Sequence, residues 1–305
     1  MTLPAAAKPA ATSSTTAERT LAVVGGSGIY AIPGLEVTAT HELETPYGLP
    51  SAPVIEGRLA GSRLLFLPRH GRHHELAPHE INYRANVCAL KKLGAQQLVS
   101  LSAVGSLRED IRPGDVVIVD QYIDYTKRRT STFFENGAVA HVAFAHPACA
   151  DLGEAAAIAA ERAGAPRVHR GGTYVCMEGP QFSTRAESLS YRALGASVIG
   201  MTALPEAKLA REAQLPYVTV AFSTDYDAWH ETEEAVTVEM VLAVLRQNGA
   251  LAQRLVAELP SLLPDPSKSP ASSALQGALL TPVEHISPST RARLDWLLPP
   301  GPNSP

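Results

Sequence analysis

The sequence predicts an α/β fold, a single domain whose central mixed, mostly parallel sheet is flanked by helices, and three features carry that expectation. Apolar or alternating runs recur at 21–24, 63–67, 97–103, 115–119, 171–176, 196–200 and 216–222; runs this short, bounded by turn residues, read as strands. Segments with helical periodicity lie between several of them, and strands alternating with helices favour parallel pairing. With 305 residues, 45% of them hydrophobic, the chain can bury a substantial core.

Residues 1 to about 19 are rich in Ala, Ser, Thr and Pro without a period, which reads as a flexible lead-in lacking the apolar stretch of a secretory signal. The strand Leu21–Val24 then runs into Gly25-Gly26-Ser27-Gly28. Gly26-Ser27-Gly28-Ile29-Tyr30-Ala31 matches G-x-G-x-x-A, but Pro33-Gly34 would break the helix that a dinucleotide site requires. The turn is either an ordinary tight turn or a cradle of N–H groups with the Ser27 hydroxyl for a single anion. A second strand, through Leu64–Leu67, ends in Arg69-His70-Gly71-Arg72-His73-His74. Guanidinium forks suit oxyanions, and no Cys partner or H-E-x-x-H spacing favours a metal there; the alternative is a solvated basic loop.

Ile81, Ala85, Cys88, Ala89 and Leu93 share a helix face that Gly94 closes. Leu101-Ser102-Ala103-Val104-Gly105-Ser106 ends a third strand in small residues, either an ordinary turn or a further hydroxyl and backbone donor for the same crevice. Residues 148–163 and 203–213 are helix candidates. Between them, Glu178-Gly179-Pro180-Gln181-Phe182-Ser183-Thr184-Arg185-Ala186-Glu187 is a loop followed by a capping-box pattern. Capping accounts for Thr184 and Glu187 but not for Phe182, which is core or stacks on a planar ligand. Met201 reads most simply as core and Thr202 as a helix N-cap.

The run Tyr217–Phe222 leads into Ser223-Thr224-Asp225-Tyr226-Asp227-Ala228-Trp229. Carboxyls at i and i+2 point the same way if strand geometry persists, and their repulsion raises at least one pKa. A carboxyl protonated near neutrality can hand a proton to a leaving group; the alternative is an Asp-rich turn capping the strand. Residues 237–259 carry one apolar helical stripe. Ten of the 24 prolines lie at or beyond Pro260, so the compact core is expected to end at Leu259, with 261–305 a Pro/Ser-rich tail. In that tail a helix from Ser287 through Leu298, stopped by Pro299, is expected to dock on its own or a neighbouring subunit.

A net charge of -4 argues against a nucleic-acid-coating surface. The apolar runs are too short to cross a membrane. Three widely spaced cysteines, Cys88, Cys149 and Cys176, suit a reducing, cytoplasmic setting.

Taken in order, GGSG, RHGR, SAVGS, EGP-x-FS, a Met-Thr pair and TDYD resemble the purine nucleoside phosphorylase superfamily, in particular its methylthioadenosine-cleaving branch. The resemblance runs from about Ala22 to Leu259, making 20–260 the catalytic domain, and touches Trp296-Leu297-Leu298-Pro299. It implies a homotrimer with active sites at subunit interfaces that uses phosphate to split 5′-methylthioadenosine into adenine and 5-methylthioribose 1-phosphate. Phosphate is then a co-substrate, and no metal or organic cofactor is implied. By the same resemblance Ser27, Arg69, His70, Ser102, the backbone of Ala103 and Thr202 hold phosphate, and Phe182 and Met201 flank base and ribose. Asp225, Tyr226 and Asp227 bind the nucleoside, with Asp225 the catalytic acid, and Ser183 and Val238 shape specificity. His141 reaches a neighbour's site, Val241 and Leu297 line the methylthio pocket, and the tail helix is expected to pack over a neighbour's active site. A 6-oxopurine or methylthioinosine phosphorylase would share the phosphate residues. A hydrolytic nucleosidase would leave Arg69 and His70 without an anion, and an inactive ligand sensor should lack a site residue, whereas none is missing.

Overall fold

Among the residues that the computed structural model describes, 19–26, 32–230 and 238–298, eleven strands form one branched sheet. In chain order the elements begin with β1 (Thr20–Gly25), β2 (Glu36–His41), β3 (Val54–Leu59), β4 (Ser62–Pro68), α1 (Tyr83–Lys92) and β5 (Gln97–Ser106). Next come β6 (Val116–Val119), β7 (Gln121–Asp124), α2 (Ala150–Arg162), β8 (Val168–Arg170), β9 (Thr173–Cys176) and α3 (Arg185–Ala193). The last are β10 (Val198–Gly200), α4 (Ala203–Glu212), β11 (Tyr217–Asp225), α5 (Val238–Glu258) and α6 (Pro288–Arg293).

The ten-residue strand β5 is the axis of the sheet. Its first half lies parallel between β1 and β11, and near its end Gly105 and Ser106 pair antiparallel with β10. One branch continues through β11, β6 and β8, the other through β10, β9 and β7. Side chains of β1, β4 and β5 are almost wholly buried, as expected of parallel strands covered on both faces. One face packs on α2 and α5, through Leu152, Ala156, Leu251 and Leu255. The other packs on α1 and α4, through Val87, Leu90, Ala207 and Ala210.

The core does not end at Leu259. Ile286, Leu294, Leu297 and Leu298 are buried in the same cluster as Phe133, Val87 and Leu90, and Trp296 packs edge-on against Phe133 with centroids 4.9 Å apart. Pro266 and Pro270 sit at the starts of single 3-10 turns, where a fixed φ and a missing N–H cost little. Proline here shapes a docked segment. The predicted terminal helix is shorter than expected: Ser287 caps it, accepting from the Thr290 N–H, and it ends at Arg293. It docks on its own chain, with Thr290 Oγ1 donating to the Asn136 carbonyl at 2.8 Å and Arg293 Nη2 to that of Glu135 at 2.9 Å. Leu294→Ala is therefore expected to lower unfolding free energy by about 2–5 kcal/mol, read by denaturant titration; a neutral result would show that this segment is not core.

Candidate active site

The carboxyl ends of β5, β9, β10 and β11 meet where small and hydroxylated residues replace the apolar runs. Ser102 Oγ lies 3.4 Å from Thr202 Oγ1 and 3.2 Å from the Tyr174 hydroxyl. Thr202 occupies the N-cap position of α4, but its side chain makes no capping bond, so its hydroxyl stays with Ser102. Burial pushes the Tyr174 phenol up to about 12, which keeps it a neutral donor. Ala103 is exposed between buried Ser102 and Val104; an exposed residue in the middle of a buried strand marks an opening in the sheet.

Arg69 reaches from the end of β4 to Ser100 and Leu101 beneath this crevice, and His70 follows it. The Arg69 side chain is 2% exposed and its Nε pairs with Glu206 at 2.9 Å. Nη2 donates to Ser100 Oγ at 2.7 Å and Nη1 to the Leu101 carbonyl at 3.1 Å. Burial acts against the charge, but the adjoining Glu206 carboxylate outweighs it and holds the guanidinium pKa above its ordinary value. Most of the fork thus faces protein. The His70 ring bonds the Leu76 carbonyl through Nδ1 at 2.9 Å and stacks on His74 with centroids 4.3 Å apart. Burial, helped by the nearby Arg69 charge, pulls its pKa down to about 4. Folding therefore disfavours the proton, and stability should fall as pH drops from about 6.5, the unfolded value, toward 4, by on the order of 3 kcal/mol. His70→Asn is expected to flatten that part of a stability–pH curve; an unchanged slope would place the effect elsewhere.

The acid pair departs from simple strand geometry. β11 ends at Asp225, and Asp227 opens a 3-10 turn with φ of 51°, so the two carboxyls do not follow strand alternation. Instead the Asp227 N–H donates to Asp225 Oδ1 at 2.8 Å, and the Thr224 hydroxyl donates to Asp225 Oδ2 at 2.6 Å. Asp227 Oδ2 is buried without a hydrogen-bond partner among the described residues. Burial first, and the neighbouring Asp225 charge second, raise the Asp227 pKa, against the opposing hydroxyls of Ser188 and Ser183. Asp227 therefore keeps its proton to higher pH than a solvated aspartate would. Gly105 admits this packing, because a Cβ there would lie 3.1 Å from both Asp225 Oδ1 and Asp227 Cβ.

The remaining residues fall into three groups. Met201 and Tyr226 pack on a small cluster of Leu107, Ile199 and Trp229 beside the acids, and Ser183 Oγ contacts Met177 Sδ at 3.6 Å. Phe182 is 79% exposed, which rules out the core reading. His141 is exposed, while Leu297 is buried in the core with Phe133. Ser27 lies outside the described residues, and Val238 and Val241 lie on α5 at positions whose side chains are not described. Sequence reasoning missed Glu206, Tyr174, Ser188 and Arg129. Glu206 had a signal, a lone acid in the apolar stretch Ala203–Ala210; the others had none.

A cavity of about 340 Å³ lies at the amino end of β11, away from these groups, bounded by Val218, Cys149 and Arg170. Arg170 there is paired with Glu154 and Glu161.

Hydroxyl donors and an acid pair thus stand together at the strand ends of an α/β fold. Residues 20–260 match the phosphorylase superfamily, and the chain belongs to that family. It is 50% identical over 282 residues to the S-methyl-5′-thioadenosine phosphorylase of Geobacter sulfurreducens, covering 92% of this chain and 98% of that one. It is 52% identical over 276 residues to the protein of the same name from Chloroflexus aurantiacus, covering 90% and 96%. Among solved structures, a methylthioadenosine phosphorylase from an antarctic soil metagenomic library superposes with a TM-score of 0.88 at 48% identity, covering 92% of this chain and 99% of that chain. The Schistosoma mansoni methylthioadenosine phosphorylase in complex with adenine gives 0.76 at 35% identity, covering 80% and 91%.

Proposed function

We propose that the chain catalyses phosphorolysis of 5′-methylthioadenosine, giving adenine and 5-methylthioribose 1-phosphate. The observation that carries this reading is the juxtaposition along β5. Ser102 beside Thr202 offers donors to an anion, and Gly105, three residues on, lies against Asp225 and Asp227. In the reaction the C1′–N9 bond breaks with its electron pair going to the purine, while a phosphate oxygen forms the new bond to C1′. A proton from Asp225 to N7 neutralises the leaving group, and phosphate both stabilises the developing positive sugar and attacks it.

In this reading Ser27, Arg69, His70, Ser102, the Ala103 backbone and Thr202 hold the phosphate. The exposed ring of Phe182 and the side chain of Met201 flank the nucleoside. Carboxylates accept from a 6-amino group, so Asp225 and Asp227 favour adenine over a 6-oxopurine; Tyr226, Ser183 and Val238 shape that pocket and Val241 the methylthio end, a role that the burial of Leu297 beside Phe133 does not support for Leu297. The acid comes from Asp225 and the nucleophile is phosphate, so the reading calls for no metal or organic cofactor. Exposed His141, beside Val139 and Leu280 at 45% and 60% exposure, supports a homotrimer in which this edge reaches a neighbour's site. We place the enzyme in the cytoplasm; no described helix is long and apolar enough to cross a membrane.

Adenine release from 5′-methylthioadenosine, with and without phosphate and beside methylthioinosine and inosine, tests the reading. Fast, phosphate-dependent release of adenine with little activity on inosine is the expected result. Hypoxanthine release alone would leave the phosphate subsite standing and overturn the base assignment.

A further inference from the structure

Lys127, Arg128 and Arg129 are three successive basic residues, yet the Arg129 side chain is turned inward and only 1% exposed. Its Nη1 donates to the carbonyls of Met201 at 2.5 Å and Leu204 at 2.8 Å. Its Nη2 donates to the Glu178 carbonyl at 2.7 Å, and Nε pairs with the Glu178 carboxylate at 3.0 Å. The same carboxylate accepts the backbone N–H groups of Lys127 and Arg128. One planar cation thus ties together the loops that follow β9 and β10. A Lys could not replace it, because a single ammonium lacks the fork that reaches acceptors on both loops.

The two loops also touch each other. Gly179 has φ of 67°, and a Cβ there would lie 2.5 Å from Met201 Sδ. The first loop carries Phe182 and Ser183 and the second carries Met201 and Thr202. On the proposed function, on which this inference rests, Met201 faces the nucleoside and Thr202 the phosphate. The Met201 carbonyl held by Arg129 belongs to the peptide that joins those two residues.

We propose that Arg129 is a positioning residue that couples the two substrates, holding the Met201–Thr202 peptide and the loop around Glu178 as one body. Phosphate binding at Thr202 then orders the nucleoside subsite in advance, and the second ligand finds part of the ordering already done. Such coupling is reciprocal, so nucleoside binding tightens phosphate binding by the same factor.

The test is an initial-rate grid over 5′-methylthioadenosine and phosphate, which gives each KM at low and saturating levels of the other substrate. The unaltered enzyme is expected to show an interaction factor of about ten, and Arg129→Lys a factor below about two. Glu178→Gln keeps the carbonyl acceptors but removes the countercharge, and should lower the factor about threefold. An interaction factor of one in the unaltered enzyme, or an unmoved factor in Arg129→Lys, overturns the proposal. A variant that loses kcat and melting temperature with the factor intact is merely loosened, and that too overturns it. Should Arg129→Lys fail to fold, Glu178→Gln decides, an unchanged factor being fatal. No phosphate-dependent adenine release by the unaltered protein overturns the functional reading and this inference with it; normal release with an unmoved factor overturns this inference alone.

Discussion

Asp225→Asn is expected to lower kcat for adenine release from 5′-methylthioadenosine by about a thousandfold, while the melting temperature barely moves. The fold should tolerate the change because the surroundings of Asp225 do. Its Oδ1 accepts the Asp227 N–H, which an amide oxygen also accepts, and the Thr224 hydroxyl on Oδ2 can rotate to accept from an amide N–H. Chemistry should not tolerate it, because an amide can donate a hydrogen bond to N7 but cannot surrender a proton. An N7-methylated nucleoside separates the two explanations, since its base leaves without protonation. The variant should cleave that substrate at a rate within about tenfold of the unaltered enzyme. Equal losses on both substrates would remove Asp225 from the acid role. They would turn attention to Asp227, whose buried Oδ2 has no hydrogen-bond partner among the described residues and whose pKa burial and the Asp225 charge raise.

The parts of the fold legible in the sequence were those where local pattern and burial coincide. β1, β4, β5 and β11 are apolar runs because both faces are covered, and the chemistry at their ends follows from their being buried up to that point. β2 was not legible: Glu36–His41 is exposed or half-buried along its length at the sheet edge, so no face needs apolar residues. β8 has three residues and β7 four, too few to display a period. In the tail, proline content is no measure of looseness, since the segment it marks is docked on the core. Leu263 is placed by tertiary contacts outside any local repeat, whereas buried Ile286, Thr290, Leu294, Leu297 and Leu298 keep the helical spacing from which the terminal helix is expected. The acid pair was visible as a motif, but not its geometry, since the positive φ of Asp227 breaks the alternation that the spacing suggested. Least legible was the polar scaffold behind the site. Arg69 and Glu206 are 137 residues apart in the chain, and Arg129 and Glu178 are 49 apart; no local pattern announces such pairs.

Glu206→Ala is expected to destabilise the protein by about 3–5 kcal/mol, the range for removing one partner of a buried ion pair. Both side chains are 2% exposed, so the variant would leave the Arg69 guanidinium buried with no countercharge. It would also strip the Tyr217 hydroxyl of the acceptor it reaches at 3.0 Å. Replacing the pair together, Arg69→Met with Glu206→Leu, should return most of that stability, because apolar residues of similar volume often match or exceed a buried pair. The double variant then settles what Arg69 is for. If the guanidinium holds phosphate as well as Glu206, the stable double variant should show a phosphate KM raised about a hundredfold, with the nucleoside KM changed much less. The Glu206 pairing would then orient a donor, leaving Arg69 to act on phosphate through a directed N–H with its net charge largely balanced. If phosphate KM stays within about twofold, Arg69 is a structural residue under the crevice floor. The anion would in that case rest on the hydroxyls of Ser102 and Thr202, 3.4 Å apart, and on backbone N–H groups.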